Sequence, residues 1–261
     1  VKREKRRIPI GYYIIPNLLT TASMFSGFLG MLWAIGGKFY LAALAILVSC
    51  VFDGLDGKVA RLTKASSDFG IQMDSLADLI AFGATPALTL YLWQLHIFGR
   101  LGIAICFLFL ACGALRLARF NLMAMRKDVY DPHFFMGLPI PAAACFLATF
   151  IIFCRGLGVD EVVGHKIIAA FCLASVFALA LLMVSRVKYY SFKDMGVFRA
   201  RPFTSSVAVV LLFVLVGSAP TLIPFLFFFC YVLSGPIYSY LYLPLHHSRP
   251  LLRGLARRKS S

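Results

Sequence analysis

Residues 39–95 read FYLAALAILVSCVFDGLDGKVARLTKASSDFGIQMDSLADLIAFGATPALTLYLWQL. Two apolar runs, about 39–61 and about 71–95, are each long enough to cross the hydrocarbon core of a bilayer, which takes about 20 residues of helix. A short polar loop joins them, so the two helices run antiparallel. Each carries a pair of carboxylates: Asp53 and Asp56 are i, i+3, and Asp74 and Asp78 are i, i+4. Either spacing puts both acids on one helix face. An unpaired carboxylate inside a bilayer costs about 3 kcal/mol on insertion scales. Five of the chain's eleven acids fall between residues 53 and 78, a concentration that points to chemistry rather than chance.

The rest of the chain has the same apolar character. It has 261 residues, 61% hydrophobic and 14% charged, with a mean hydropathy of +0.85. A soluble domain shows about a quarter charged residues, so a secreted, disordered or ordinary cytosolic chain is excluded. Six further spans are expected at about 17–36, 99–120, 138–155, 166–185, 203–219 and 221–243, the last two separated only by Gly217–Pro220. The fold class is therefore an all-α polytopic transmembrane helix bundle of about eight spans. It divides into a short basic interfacial segment at 1–16, a transmembrane domain at 17–243 and a basic tail at 244–261. The N-terminal KREKRR lacks the apolar stretch of a signal peptide and suits the surface of an anionic leaflet.

Net charge is +15. Counted by alternate loops, twenty-two of the twenty-six Lys and Arg lie on one side, and only Lys38, Arg100, Arg155 and Lys166 lie on the other. The positive-inside rule then puts both termini in the cytoplasm. The positive charge reflects topology and attraction to anionic lipids, not nucleic acid. Seven cysteines are scattered through apolar runs with no CxxC pair and read as small packing residues.

Facing acid pairs on two neighbouring helices make a four-carboxylate cluster near the cytoplasmic surface. Its like charges repel, and hard divalent cations relieve that; all-oxygen donors favour Mg²⁺, Mn²⁺ or Ca²⁺. Two such ions about 3.5–4 Å apart suit phosphoryl transfer. The small residues Gly57, Ala60 and Gly70 leave room for a phosphate beside the helix backbone.

The full string is Asp53-x2-Asp56-Gly57-x2-Ala60-Arg61-x8-Gly70-x3-Asp74-x3-Asp78. It resembles the signature of the CDP-alcohol phosphotransferase family at every position. Asn17 and Thr20, in PNLLT, open the first span as in many members. GALRLARFN (113–121), FMGLPIPAAA (135–144) and MVSRVKYYSFK (183–193) are similar to the family's serine-accepting, membrane-integral branch of bacteria and archaea, although Tyr190 stands where proline is frequent.

The resemblance implies a fold, a site and a reaction. Asp53, Asp56, Asp74 and Asp78 would bind two divalent cations, Mg²⁺ or Mn²⁺ with Ca²⁺ as an alternative occupant, and Asp78 would also act as general base. Arg61, Asn17, Thr20, Ser67, Gly57, Ala60 and Gly70 would hold the CDP-lipid. The substrates implied are CDP-diacylglycerol and L-serine, and homodimers are common in the family. Serine is a zwitterion, and Arg116, Arg119 and Asn121 are the expected contacts for it, with positive-inside topology as the competing explanation of the two arginines. The location implied is the prokaryotic cytoplasmic membrane. Alternatives are a sister enzyme using glycerol 3-phosphate or inositol phosphate, an intramembrane prenyltransferase, and a divalent-cation transporter; Arg61 and the position of the cluster near one membrane surface speak against the last.

Overall fold

The computed structural model describes residues 11–63, 68–126, 134–159, 165–190, 214 and 216–242. The expected seventh span, apart from 214 and 216–219, lies outside the described residues, as do residues 1–10 and the tail from 243 onward. Eight α-helices are described: α1 (Gly11–Ile35), α2 (Phe39–Thr63), α3 (Asp68–Asp78), α4 (Thr85–Trp93), α5 (Arg100–Arg126), α6 (Ile140–Gly156), α7 (Lys166–Val184) and α8 (Leu222–Pro236). The helices α3 and α4 are one span interrupted by a widened π turn at Leu79–Ala84. Among the described residues, six spans are long and apolar enough to cross a membrane, and α6 is a shorter apolar helix. The chain is an integral membrane protein with an all-α bundle. Its outer helix faces carry exposed residues such as Leu18, Phe25, Phe107 and Ile167, as lipid-facing surfaces require.

Small residues at their interface let α1 and α2 pack closely. Ser23 Oγ lies 2.8 Å from Ser49 Oγ, and Ser26 Oγ donates to Ala45 O at 2.9 Å. Interhelical hydrogen bonds and close backbone approach replace the hydrophobic effect where lipid is as apolar as the protein. The turn between them is built by Gly37 at φ +74°. Its N–H donates to Ala34 O, and that of Lys38 donates to Trp33 O, the paired bonds of a glycine-terminated helix end.

The π turn has a local cause. Pro86 lacks a backbone donor and enters just after it. The helix widens so that Thr85 N–H reaches Ile80 O, and Thr85 Oγ1 lies 2.9 Å from Ile80 O and 3.0 Å from Gly27 O. Gly27 lets α1 meet this turn directly, since a Cβ there would lie 2.7 Å from Ala81 Cα. The sequence alone reads 71–95 as one continuous helix; the proline is the signal for the interruption.

At the centre, α6 is buried against α2, α7, α8 and the π turn. Its Phe146, Phe150 and Phe153 interleave with Phe225 and Phe229 of α8. One addition to the helical plan is a two-stranded antiparallel ribbon, β1 (Phe134–Met136) and β2 (Lys188–Tyr190), pairing Phe135 with Tyr189. Tyr189 is fully buried and donates its hydroxyl to Val232 O at 3.1 Å, with its ring lying over Gly235. Burial pushes this phenol well above the usual tyrosine range. The two ends of the bundle are thus distinct. Arg155 caps the Tyr40 ring at 4.0 Å at one end, and the ribbon and the acids occupy the other.

Candidate active site

The four acids of α2 and α3 converge on one cavity of about 490 Å³. Carboxylate oxygens of Asp53, Asp56 and Asp74 all lie within 4.8 Å of one another. Asp78, the last residue of α3, lines the same cavity and comes within hydrogen-bonding reach of Asp53. Helix spacing explains this convergence. The i, i+3 pair of α2 and the i, i+4 pair of α3 each face the partner helix, and the π turn begins only after Asp78, so the last acid keeps α-helical register with Asp74.

Carboxylates this close repel; Asp56 is buried, at 5% exposure, and Asp53, Asp74 and Asp78 are half-buried. One neighbour stabilises the charge of Asp56. Thr20, on α1, donates its hydroxyl to Asp56 Oδ2 at 2.7 Å. Arg116 of α5 also lines the cavity and acts electrostatically on Asp78. The donor set is hard oxygen throughout, gathered from two helices within one ion's reach. It fits a divalent metal, with Asp53, Asp56 and Asp74 as the residues that would hold it.

The other expected residues divide. Gly57 lines the cavity, and a Cβ there would meet nothing within 4 Å, so the helix backbone is open to a ligand. Ala60 and Gly70 stand on α2 and α3 but are not part of the lining. Asn17 sits one turn before Thr20, its carbonyl accepting from Thr21 Oγ1 at 2.8 Å. Arg61 falls in the last turns of α2, with its side chain outside the described residues, and Ser67 lies outside them altogether. Asn121 lines the cavity and donates from Nδ2 to Ser75 Oγ at 3.0 Å, tying α5 to α3. Arg119 does not line it. Its Nη1 and Nη2 donate instead to Val184 O at 3.2 Å and Met136 O at 3.0 Å.

Several wall residues carry no signal in the motif. Ser75 lines the cavity directly after Asp74, a position that the acid spacing passes over. Pro139 and Pro141 close the wall from the start of α6, and Leu117 and Phe120 give it an apolar side. The segment FMGLPIPAAA contains both prolines, but nothing in its pattern places them beside residues 53–78.

Comparison with known proteins bears on what such a cavity does. The family model described as CDP-alcohol phosphatidyltransferase matches residues 13–182, from the start of α1 into the last turn of α7. The CDP-diacylglycerol–serine O-phosphatidyltransferase of Helicobacter pylori (strain ATCC 700392 / 26695) is 41% identical over 181 residues, covering 69% of this chain and 73% of its own. The protein of the same name from Mycobacterium leprae (strain TN) is 30% identical over 234 residues, or 89% of this chain and 75% of its own. The archaetidylserine synthase of Methanothermobacter thermautotrophicus is 34% identical over 187 residues, with shares of 71% and 73%.

Proposed function

The chain belongs to the CDP-alcohol phosphatidyltransferase family, and from that premise we propose that it moves the phosphatidyl group of CDP-diacylglycerol to the hydroxyl of L-serine, giving phosphatidylserine and CMP. The observation that carries this reading is the convergence of Asp53, Asp56, Asp74 and Asp78, with Arg116 beside them, on one cavity at one end of a membrane bundle. The acceptor rests on the relatives, whose names specify serine. Asp53, Asp56 and Asp74, joined by Asp78, would hold two divalent cations, Mg²⁺ or Mn²⁺. When bound, these neutralise the diphosphate and the charge on departing CMP.

The chain's own residues do the rest. Asp78 takes the proton from the serine hydroxyl as its oxygen attacks the lipid phosphorus; the P–O bond to CMP breaks as the new one forms. Thr20 orients Asp56 through its hydroxyl. Gly57, with Ala60 and Gly70 continuing the two helices, lets the diphosphate approach the backbone. Arg61, whose planar fork suits phosphate oxygens, binds the CDP moiety together with Asn17 and Ser67. Arg116 and Asn121 meet the carboxylate and ammonium of the acceptor on the α5 side. The cavity faces the cytoplasm, with both termini on that side of the cytoplasmic membrane. The basic segments 1–16 and 244–261 flank the enzyme domain at 17–243 and rest on anionic lipid, and the chain works as a homodimer.

The test is transfer of label. Radiolabelled L-serine, CDP-diacylglycerol and Mn²⁺ with the purified chain are expected to yield a chloroform-extractable product that migrates as phosphatidylserine. Label that stays in the aqueous phase overturns the proposal.

A further inference from the structure

Arg119 does not line the cavity, but it is bonded to the segment that leads into the cavity wall. Arg119 stands on α5 three residues beyond Arg116, and its guanidinium bridges two other elements. Val184 is the last residue of α7, where helix carbonyls lack intrahelical donors and a cation is favoured. Met136 is the last residue of β1. One planar fork therefore joins α5, α7 and the ribbon through bonds of 3.2 Å and 3.0 Å.

The clamp has its consequence in the residues just after Met136. Gly137 takes φ +79°, a region that favours glycine, and its N–H donates to Val187 O at 2.8 Å. The turn is tight: a Cβ there would collide with Met183 O and lie 3.1 Å from Arg119 Nη2. Leu138 N–H then donates to Leu182 O at 3.1 Å, and the next residues are Pro139 and Pro141 of the cavity wall. Side chain, turn and wall form one continuous path from α5 to the acids.

We propose that Arg119 is a positioning residue: by clamping Met136 to the end of α7 it sets the turn at Gly137 and so the wall that Pro139 and Pro141 present to the reacting groups. It stabilises the shape of the cavity and does not bind the acceptor. The catalytic consequence rests on the function proposed above; the structural one does not.

Hydrogen exchange of the purified full chain in lipid nanodiscs, without substrates, tests it. In Arg119→Met the amides of Gly137 and Leu138 are expected to exchange about tenfold faster than in the unaltered chain. Those of the α2 interior are expected to stay as they were. With substrates, kcat falls while the KM for serine moves by less than about threefold, the signature of lost geometry rather than lost acceptor binding. Arg119→Lys keeps the charge but reaches only one carbonyl, so its exchange and kcat fall in between. It decides the matter if the methionine variant does not fold. Unchanged exchange at 137–138 together with a raised serine KM, in either variant, overturns the proposal and returns Arg119 to the acceptor. Absence of serine-dependent turnover in the unaltered chain would remove the proposed function alone, because the exchange measurement needs no substrate.

Discussion

Replacing Thr20 by valine isolates the one hydrogen bond that α1 makes to the acid cluster among the described residues. The change keeps the branched shape and removes only the hydroxyl, which lies 2.7 Å from Asp56 Oδ2 and also 3.1 Å from Pro16 O on its own helix. Thr20 and Asp56 are each 5% exposed, so the bond between them is shielded from bulk solvent. A hydrogen bond to a charged group contributes about 1.5–3 kcal/mol. At about 1.4 kcal/mol per factor of ten, that is a loss of roughly 10- to 150-fold in the affinity of a site that needs Asp56 ionised and correctly turned. Partners that orient metal ligands change affinity by about 10–100-fold when removed, the same range. The assay is Mn²⁺ binding to the purified chain without substrate, read from the electron paramagnetic resonance of the free ion. Thr20→Val is expected to weaken binding by at least about tenfold, and Thr20→Ser to stay within about threefold of the parent. Thr21→Val, which loses only a bond to the Asn17 carbonyl on its own helix, serves as control and is expected to bind normally. Affinity in Thr20→Val within about twofold of the parent would refute the reasoning, because Asp56 would then need no donor from α1 to serve as a ligand.

Two further changes probe the same site from other directions. Asp78→Asn keeps the shape of the side chain but cannot accept the serine proton, so turnover is expected to fall by about 100-fold or more while binding of CDP-diacylglycerol stays measurable; retained turnover would remove Asp78 from the role of base. Gly27→Leu drives a side chain into Ala81, whose Cα would lie 2.7 Å from the new Cβ, at a cost of about 3 kcal/mol. Thermal unfolding should show a clear loss of stability together with reduced turnover, whereas Phe25→Leu on the exposed face of the same helix should leave both unchanged.

The features legible in the sequence are those in which a residue conflicts with its surroundings. Asp53, Asp56, Asp74 and Asp78 stand out because carboxylates do not belong in apolar runs, and their spacing alone puts each pair on one face. Span positions come from hydropathy, and most described helices match them to within a few residues, although α1 begins earlier, at Gly11, and runs through Pro16, and α5 runs about six residues further, to Arg126. The ribbon is different in kind. Its strands are three residues long and far apart in the chain, so no local periodicity reveals that Phe135 will face Tyr189. Arg119 illustrates the same point for a side chain. Its spacing from Arg116 suggests a shared face toward the acceptor, but its partners are backbone carbonyls of β1 and α7, brought there by tertiary packing that the sequence pattern does not encode. Thr20 likewise reads as a nucleotide contact, and only the approach of α1 to α2 shows its hydroxyl on Asp56.

Serine as the acceptor in a reaction carried out at the acid cluster is tested most directly by CMP release. Purified chain, Mn²⁺ and CDP-diacylglycerol are incubated with L-serine, with glycerol 3-phosphate, or with no acceptor, and CMP is measured over time. Release is expected only with serine, and none in the presence of a chelator. Equal release with glycerol 3-phosphate and none with serine would contradict the account.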